Sequence, residues 1–223
     1  SMNNDPFPLI VANHKANKNW SEVKNWLSDV GPETKDFEGT VVFCPSLPFL
    51  ISSQQIIKDK KYNIKLGAQD ISFFDQGPYT GEVAASQLKG FVNYALVGHS
   101  ERRQNFHEDD ARLQNKLVNA QKAQIEAILC VQSAETPILN DVSIVAYEPT
   151  FAIGTGNPDT LVNIKNVVNK IKEKGPYTVL YGGSVSKDNV GGLMLIGTLD
   201  GVLVGASHSL DSEKFINILK AIK

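Results

Sequence analysis

Short apolar runs rich in β-branched residues recur along the whole chain: LIVA (9–12), VVFC (41–44), IKLGA (64–68), ALVG (95–98), EAILCV (126–131), SIVAY (143–147), TVLY (178–181) and GVLV (201–204). Most are followed by a stretch whose inward positions return every three or four residues, the spacing of one helix face. Leu113, Leu117, Ala120 and Gln124 follow the fourth run, and Leu161, Ile164, Val168 and Ile171 follow the sixth. The last stretch is the plainest. There Phe215, Ile218, Leu219 and Ile222 share a face, with Asp211 and Glu213 at its start and Lys220 near its end, an order that suits the helix dipole.

Runs that are apolar on both faces and alternate with helices predict parallel strands, because parallel neighbours need crossover connections that cover the sheet. Eight such units predict a closed β/α barrel, with an open doubly wound sheet as the alternative. No linker, low-complexity tract or charge block divides the chain, so one domain over residues 1–223 is expected, Ser1 ahead of Met2 reading as a remnant of cloning. One crossover is irregular. The segment QSAETPILNDV (132–142) contains Pro137 and Asn140, shows no sustained period and is too short for a full amphipathic helix with two turns. Its helix is expected to be missing or reduced to a turn, leaving one barrel flank exposed and the melting temperature below that of a full-length relative.

With 223 residues and ordinary apolar and charged fractions the chain can bury a full core. A formal net charge of −2 argues against a general nucleic-acid or membrane-surface binder, which would carry a basic field. Small molecules are the expected partners. Cys44 and Cys130 each lie inside an aliphatic run, which reads as buried strand and neither metal cluster nor disulfide frame, and a reducing cytoplasm is the expected location. No apolar run approaches the ~20 residues that span a bilayer, and no leader pattern opens the chain, so neither export nor membrane insertion is expected.

In a closed β/α barrel the reactive groups sit at the C-terminal ends of the strands. Those ends are polar here. Asn13-His14-Lys15 follows the first run and places an amide and an ammonium two residues apart, able to point the same way from extended chain. His99 opens GHSERR directly after the fourth run, and Glu148 ends the sixth, followed by Pro149 and the glycine-punctuated AIGTG. A carboxylate at a strand end that a loop can cover is a candidate general base. Taken singly, each group also reads as a solvated strand end, a hydrogen-bonded core histidine or a surface glutamate. Gly182-Gly183-Ser184 and Gly205-Ala206-Ser207, after the seventh and eighth runs, offer approachable backbone N–H groups of the kind that cradle phosphate, although tight turns use such residues too.

Taken together these residues resemble the triosephosphate isomerase family along nearly the whole chain. The matches are VANHKAN, PYTGEV, LVGHSERR, AYEPTFAIGTG, YGGSV and DGVLVGAS, spread over six strand ends in the family's order. The resemblance implies a single (β/α)8 TIM barrel that interconverts dihydroxyacetone phosphate and glyceraldehyde 3-phosphate through an enediolate, with no cofactor and no metal. By the same implication Glu148 is the base, His99 polarises the carbonyl as a neutral imidazole, and Lys15 and Asn13 stabilise the enediolate. Gly154, Ser184, Gly205 and Ala206 offer N–H groups to the phosphate under a lid spanning 149–156. Glu101 holds the Lys15 ammonium and Ser100 supports the turn. A homodimer is implied too, in which the loop around Thr80 enters its neighbour near Asn13 and His99, with Glu82 pairing Arg102 across the interface.

Three positions depart from the family's usual pattern. His14 stands in place of tryptophan, Thr150-Phe151 in place of valine-tryptophan, and Ala206 in place of the second glycine of a pair. Phe151 is expected to change the lid's opening rate while leaving the chemistry near normal. Ala206 keeps its N–H donor if its φ is negative. A barrel that only binds a phosphorylated metabolite is the rival reading from another class. It needs the phosphate loops but not a paired base and electrophile. A barrel enzyme acting on larger sugar phosphates is the third, and it calls for a pocket more open than YEPTFAIGTG would leave.

Overall fold

The computed structural model describes residues 4–153 and 155–222. Its strands are β1 (Leu9–Asn13), β2 (Thr40–Cys44), β3 (Ile64–Ala68), β4 (Tyr94–Val97), β5 (Glu126–Val131), β6 (Ile144–Tyr147), β7 (Thr178–Tyr181) and β8 (Gly201–Val204). All pair in parallel with their neighbours in sequence, and β8 returns to β1 with Leu9 opposite Gly201, so the sheet closes into a barrel. The long helices are α1 (Trp20–Glu33), α2 (Leu50–Lys60), α5 (Asp110–Lys122), α6 (Leu161–Glu173) and α9 (Ser212–Ala221). Shorter ones are α3 (Ala85–Leu88), α4 (Ser100–Asn105), α7 (Val190–Met194) and α8 (Ala206–Ser209). Among the described residues no helix is long and apolar enough to cross a membrane.

Strand side chains alternate between two separate apolar clusters, which is why the runs show no polar face. Leu9, Val11, Val42, Cys44, Leu96, Ile128, Cys130 and Leu203 fill the barrel interior. Ile10, Ala12, Val41, Val97, Leu129 and Val204 point outward against the helices, where Trp26, Leu113, Ile164, Val168 and Phe215 meet them. The interior is crowded enough that one strand position must be glycine. A Cβ at Gly67 would lie 2.6 Å from Cys44 Sγ.

Local chemistry starts four of these five long helices where side chains cap them, α2 beginning without a side-chain cap. Asn19 accepts the Glu22 N–H at the head of α1 while Glu22 accepts the Asn19 N–H, and Asp109, Thr160 and Asp211 cap α5, α6 and α9. Among the boundaries that differ from the periodic reading, two have a plain backbone cause. The fourth strand ends at Val97, because Gly98 takes φ +71 and turns the chain out of the ladder. Gln124 falls outside α5, since its left-handed φ of +60 lies past the helix end.

Residues 132–143, all of them described, form no helix. The flank is covered all the same. Every residue of β5 and β6 is buried, because Ala134 is buried in the irregular segment and Ile138, Leu139 and Val142 lie against the core where a crossover helix would. Truncating Ile138 and Leu139 to alanine is therefore expected to lower the unfolding free energy by about 1–2 kcal/mol each, read by urea denaturation. Unchanged stability in both variants would mean that these side chains do not cover the barrel.

Candidate active site

Six strand ends converge on one rim, and the sequence-marked groups are divided among them. Glu148 directly follows β6 and is 1 % exposed. A carboxylate so deeply placed needs donors, and it has them. His99 Nε2 lies 2.8 Å from Glu148 Oε1, and the Ser100 N–H donates to Glu148 Oε2 at 3.1 Å. His99 is the N-cap of α4, where its Nδ1 accepts the Glu101 N–H at 3.2 Å. With Nδ1 occupied as an acceptor, the ring proton sits on Nε2 and points at the carboxylate. Ser100 thus reaches Glu148 itself through its backbone, beyond the turn-supporting part expected of it.

Lys15 has a left-handed φ of +53, a conformation that a residue with a side chain holds only when its surroundings enforce it. Three bonds do so. Asn13 Oδ1 accepts the Lys15 N–H at 3.0 Å, and the Lys15 carbonyl accepts Gln69 Nε2 at 2.8 Å and Ser46 Oγ at 3.1 Å. The ammonium is paired with Glu101. Asn13 therefore shapes the turn that aims Lys15, and Gln69 and Ser46 are supports that periodicity and motif spacing had not marked.

On the opposite side, Ala206 begins α8 and is not among the residues with positive φ, so the N–H expected of it is retained. Gly205 is the N-cap of this helix. The far end of α8 is tied down by Ser209, whose carbonyl accepts His14 Nε2 at 3.0 Å and Trp26 Nε1 at 2.7 Å, and whose hydroxyl donates to the Asn13 carbonyl at 2.9 Å. Ser184 Oγ donates to the Ala152 carbonyl at 2.7 Å and so touches the lid. In that lid Ala152 is buried while Phe151 is 64 % exposed. Gly154 lies outside the described residues. Thr80 is exposed on the loop after β3, a loop braced by the Ser72 to Val83 backbone bond and by the Phe74 and Tyr79 rings stacked at 3.8 Å.

Two further residues belong to the site. Cys130 lies in the barrel interior against Glu148, and burial first, then the neighbouring carboxylate, pushes its thiol well up, so it is a protonated neighbour of that carboxylate. Arg103 donates through Nε to the Gly98 carbonyl at 2.8 Å and through Nη2 to the Cys130 carbonyl at 3.0 Å, clamping the ends of β4 and β5 together. An aliphatic run hid the first and a charged cluster the second. Nearby, Arg102 is engaged within its own chain, 3.0 Å from Asp70 and 2.8 Å from Glu108, and Lys116 completes the group at 2.6 Å and 2.5 Å from the same two carboxylates. A cavity of about 490 Å³ runs from Asn13, Lys15 and His99 past Arg102 to Glu82.

His14 points away from these groups. It is fully buried, edge-on to Trp26 and Phe43 at 4.8 and 4.7 Å, and burial lowers its pKa from 6.5 to about 3. Below pH 6.5 the unfolded chain takes up a proton at this position that the folded chain refuses, so stability falls with pH down to about 3. This group alone is expected to remove about 2 kcal/mol between pH 7.5 and pH 5. Urea titrations of the parent and of His14→Phe at the two pH values test this, the variant losing that part of the slope; equal slopes would show that His14 does not titrate on unfolding.

The arrangement pairs a buried carboxylate with an imidazole N–H, an ammonium and a helix N-terminus, the parts of a proton-transfer site that also holds an anion. Comparison with known proteins agrees in detail. The model of the triosephosphate isomerase family matches residues 8–222. The triosephosphate isomerase of Mesomycoplasma hyopneumoniae strain 7448 is 34 % identical, the alignment covering 95 % of this chain and 98 % of that protein. The enzyme of Chlamydia muridarum is 36 % identical, over 96 % of this chain and 91 % of its own. Among solved structures, the triosephosphate isomerase of Bartonella henselae superposes with a TM-score of 0.82 at 26 % identity, covering 96 % of this chain and 98 % of that one.

Proposed function

The chain belongs to the triosephosphate isomerase family, and on that premise we propose how the groups at its strand ends divide the reaction. It is an isomerase that interconverts dihydroxyacetone phosphate and D-glyceraldehyde 3-phosphate, a step of glycolysis and gluconeogenesis. The observation that carries the assignment of roles is the contact of Glu148 with His99 Nε2 at 2.8 Å, a base and a donor already facing one another. Substrate enters by replacing that contact. Its carbonyl oxygen accepts a hydrogen bond from Nε2–H, and the freed carboxylate turns to the carbon beside the carbonyl.

Glu148 takes a proton from that carbon, the C–H electron pair forms a carbon–carbon double bond, and negative charge moves to oxygen. Charge developing there meets His99 and the Lys15 ammonium, with Asn13 holding Lys15 in its turn. His99 passes a proton between the two oxygens, and Glu148 returns its proton to the neighbouring carbon. The phosphate is held by the N–H groups of Ser184, Gly205 and Ala206, together with Gly154 of the lid, where the head of α8 favours an anion. Burial of Glu148 supports the base, because water is kept from a carboxylate that must attack carbon.

The expected outcome with glyceraldehyde 3-phosphate in a coupled assay is turnover by the parent and a loss of roughly 10²–10⁴-fold in kcat/KM for Glu148→Gln. Glu148→Asp, with a shorter reach, falls between. A parent without turnover would refute the isomerase reading, and full activity in Glu148→Gln would refute the base.

The same reading takes the chain as one domain, working in the cytoplasm as a homodimer. Two free buried cysteines support a reducing compartment. The cavity beside Lys15 and His99 supports the dimer, since its walls come from the loops after β1 to β4 and leave room for the Thr80 loop of a second copy. A Glu82–Arg102 pair across the contact would have to compete with Asp70 and Glu108, which already hold Arg102. Sedimentation is expected to give twice the chain mass, and Thr80→Arg to shift the protein toward monomer while lowering activity. A monomeric parent with full turnover would remove the partner loop from the site.

A further inference from the structure

The exit of the lid carries a carboxylate that the reaction does not use. Asp159 Oδ2 accepts the Tyr147 hydroxyl at 2.9 Å and Asn163 Nδ2 at 2.5 Å, Oδ1 accepts the Thr160 N–H at 2.8 Å, and the Asp159 N–H donates to the Tyr181 hydroxyl at 3.0 Å. The two tyrosines are the last residues of β6 and β7. Tyr147 immediately precedes Glu148, and Tyr181 immediately precedes the Gly182-Gly183-Ser184 stretch. Both residues are at most 3 % exposed, with ring centroids 6.1 Å apart, so they are packed into the barrel. Gly183 fits only because it has no side chain, as a Cβ there would meet the Tyr181 hydroxyl at 2.1 Å.

We propose that Asp159 is a positioning residue for the isomerisation: it fastens the exit of the loop that follows β6 to the strand ends that carry the proposed base and a phosphate donor. At the entry, Pro149 is held by its buried place in the chain and accepts the Ala152 N–H at 2.9 Å. At the exit, Pro158 restricts the chain and Asp159 locks it. Burial, followed by Asp159 itself, pushes the Tyr147 phenol up, and burial carries the Tyr181 phenol up to about 12, so both hydroxyls keep their protons through the working range. Asn163 extends the fastening to the first turn of α6, whose N-cap is Thr160. The Asp159 side chain thus ties the lid's exit to β6 and α6, while its backbone N–H ties it to β7.

The inference rests on the isomerase reading, and the experiment separates the two. An enediolate left uncovered has a second fate: its electron pair displaces the phosphate from the third carbon, the C–O bond breaks, and the remaining enol ketonises to methylglyoxal. Inorganic phosphate released per isomerisation therefore reports how well the lid is seated. The parent, Asp159→Ala, Asp159→Asn and Tyr147→Phe are compared with glyceraldehyde 3-phosphate for kcat, KM and phosphate release. Asp159→Ala is expected to raise phosphate release per turnover roughly tenfold, with a higher KM, as an anchoring charge-assisted hydrogen bond is lost. Asp159→Asn keeps an acceptor for Tyr147 and is expected to stay within about twofold of the parent, with Tyr147→Phe between them. An unchanged partition in Asp159→Ala, or in Tyr147→Phe should the first fail to fold, would overturn the anchoring role; absence of turnover in the parent would overturn the isomerase reading on which it rests.

Discussion

Closure of β8 onto β1 is the constraint on which everything else depends. A parallel sheet that closes has no edge, its strands all end on one rim, and groups distant in sequence must face one another there. Glu148 and His99 come from β6 and β4, which are not neighbours. Between them runs β5, whose Cys130 lies under the carboxylate and whose backbone carbonyl is gripped by Arg103. The middle strand thus sets the separation of the Glu148 carboxylate and the His99 imidazole. A slip of one residue in the β5 register would turn Cys130 outward and put the outward-facing Leu129 or Val131 beside Glu148.

Within that frame the polar groups hold each other in place before any substrate arrives. Glu148 is satisfied by His99 and the Ser100 N–H, Lys15 by Glu101, and His99 Nδ1 by the Glu101 N–H. Buried charges without such partners would be expensive, so the site is stable because its members are bonded to one another. The same bonds set what substrate must replace. In the proposed mechanism a carbonyl oxygen accepting from His99 and a phosphate at the head of α8 would substitute for the Glu148 contact and free the carboxylate. The left-handed turn at Lys15 is held by Asn13, Gln69 and Ser46, so the cation is aimed before substrate enters.

The fold was legible because every strand is buried on both faces and most helices repeat a face, patterns that survive without knowledge of neighbours. The irregular crossover could be read from Pro137 and the missing period at 132–142, but its consequence could not. Whether the β5 and β6 flank would be bare depended on where Ile138, Leu139 and Val142 land, a tertiary question. The reacting groups were marked by position at strand ends, and the motifs around them turned single ambiguous residues into an ordered set. Gln69, Arg103, Cys130 and Ser209 escaped because they act through backbone carbonyls and close packing, which leave no periodic or motif signal.

His14 shows how a departure from the family's pattern can be absorbed. An indole position filled by imidazole keeps an N–H for the Ser209 carbonyl, and the rings of Trp26 and Phe43 meet it edge-on. The bond still ties β1 to α8, so the helix that would face the phosphate is held from its far end by the residue between Asn13 and Lys15. What changes is the response to acid, since an indole has no proton to gain and an imidazole does. Ala206 is accommodated for a different reason: it begins a helix, where negative φ suits any residue and the N–H is one of those with no acceptor inside the helix. Substitutions at this rim are tolerated when they preserve the backbone donor or the bond that aims it, and the side chains themselves are free to differ.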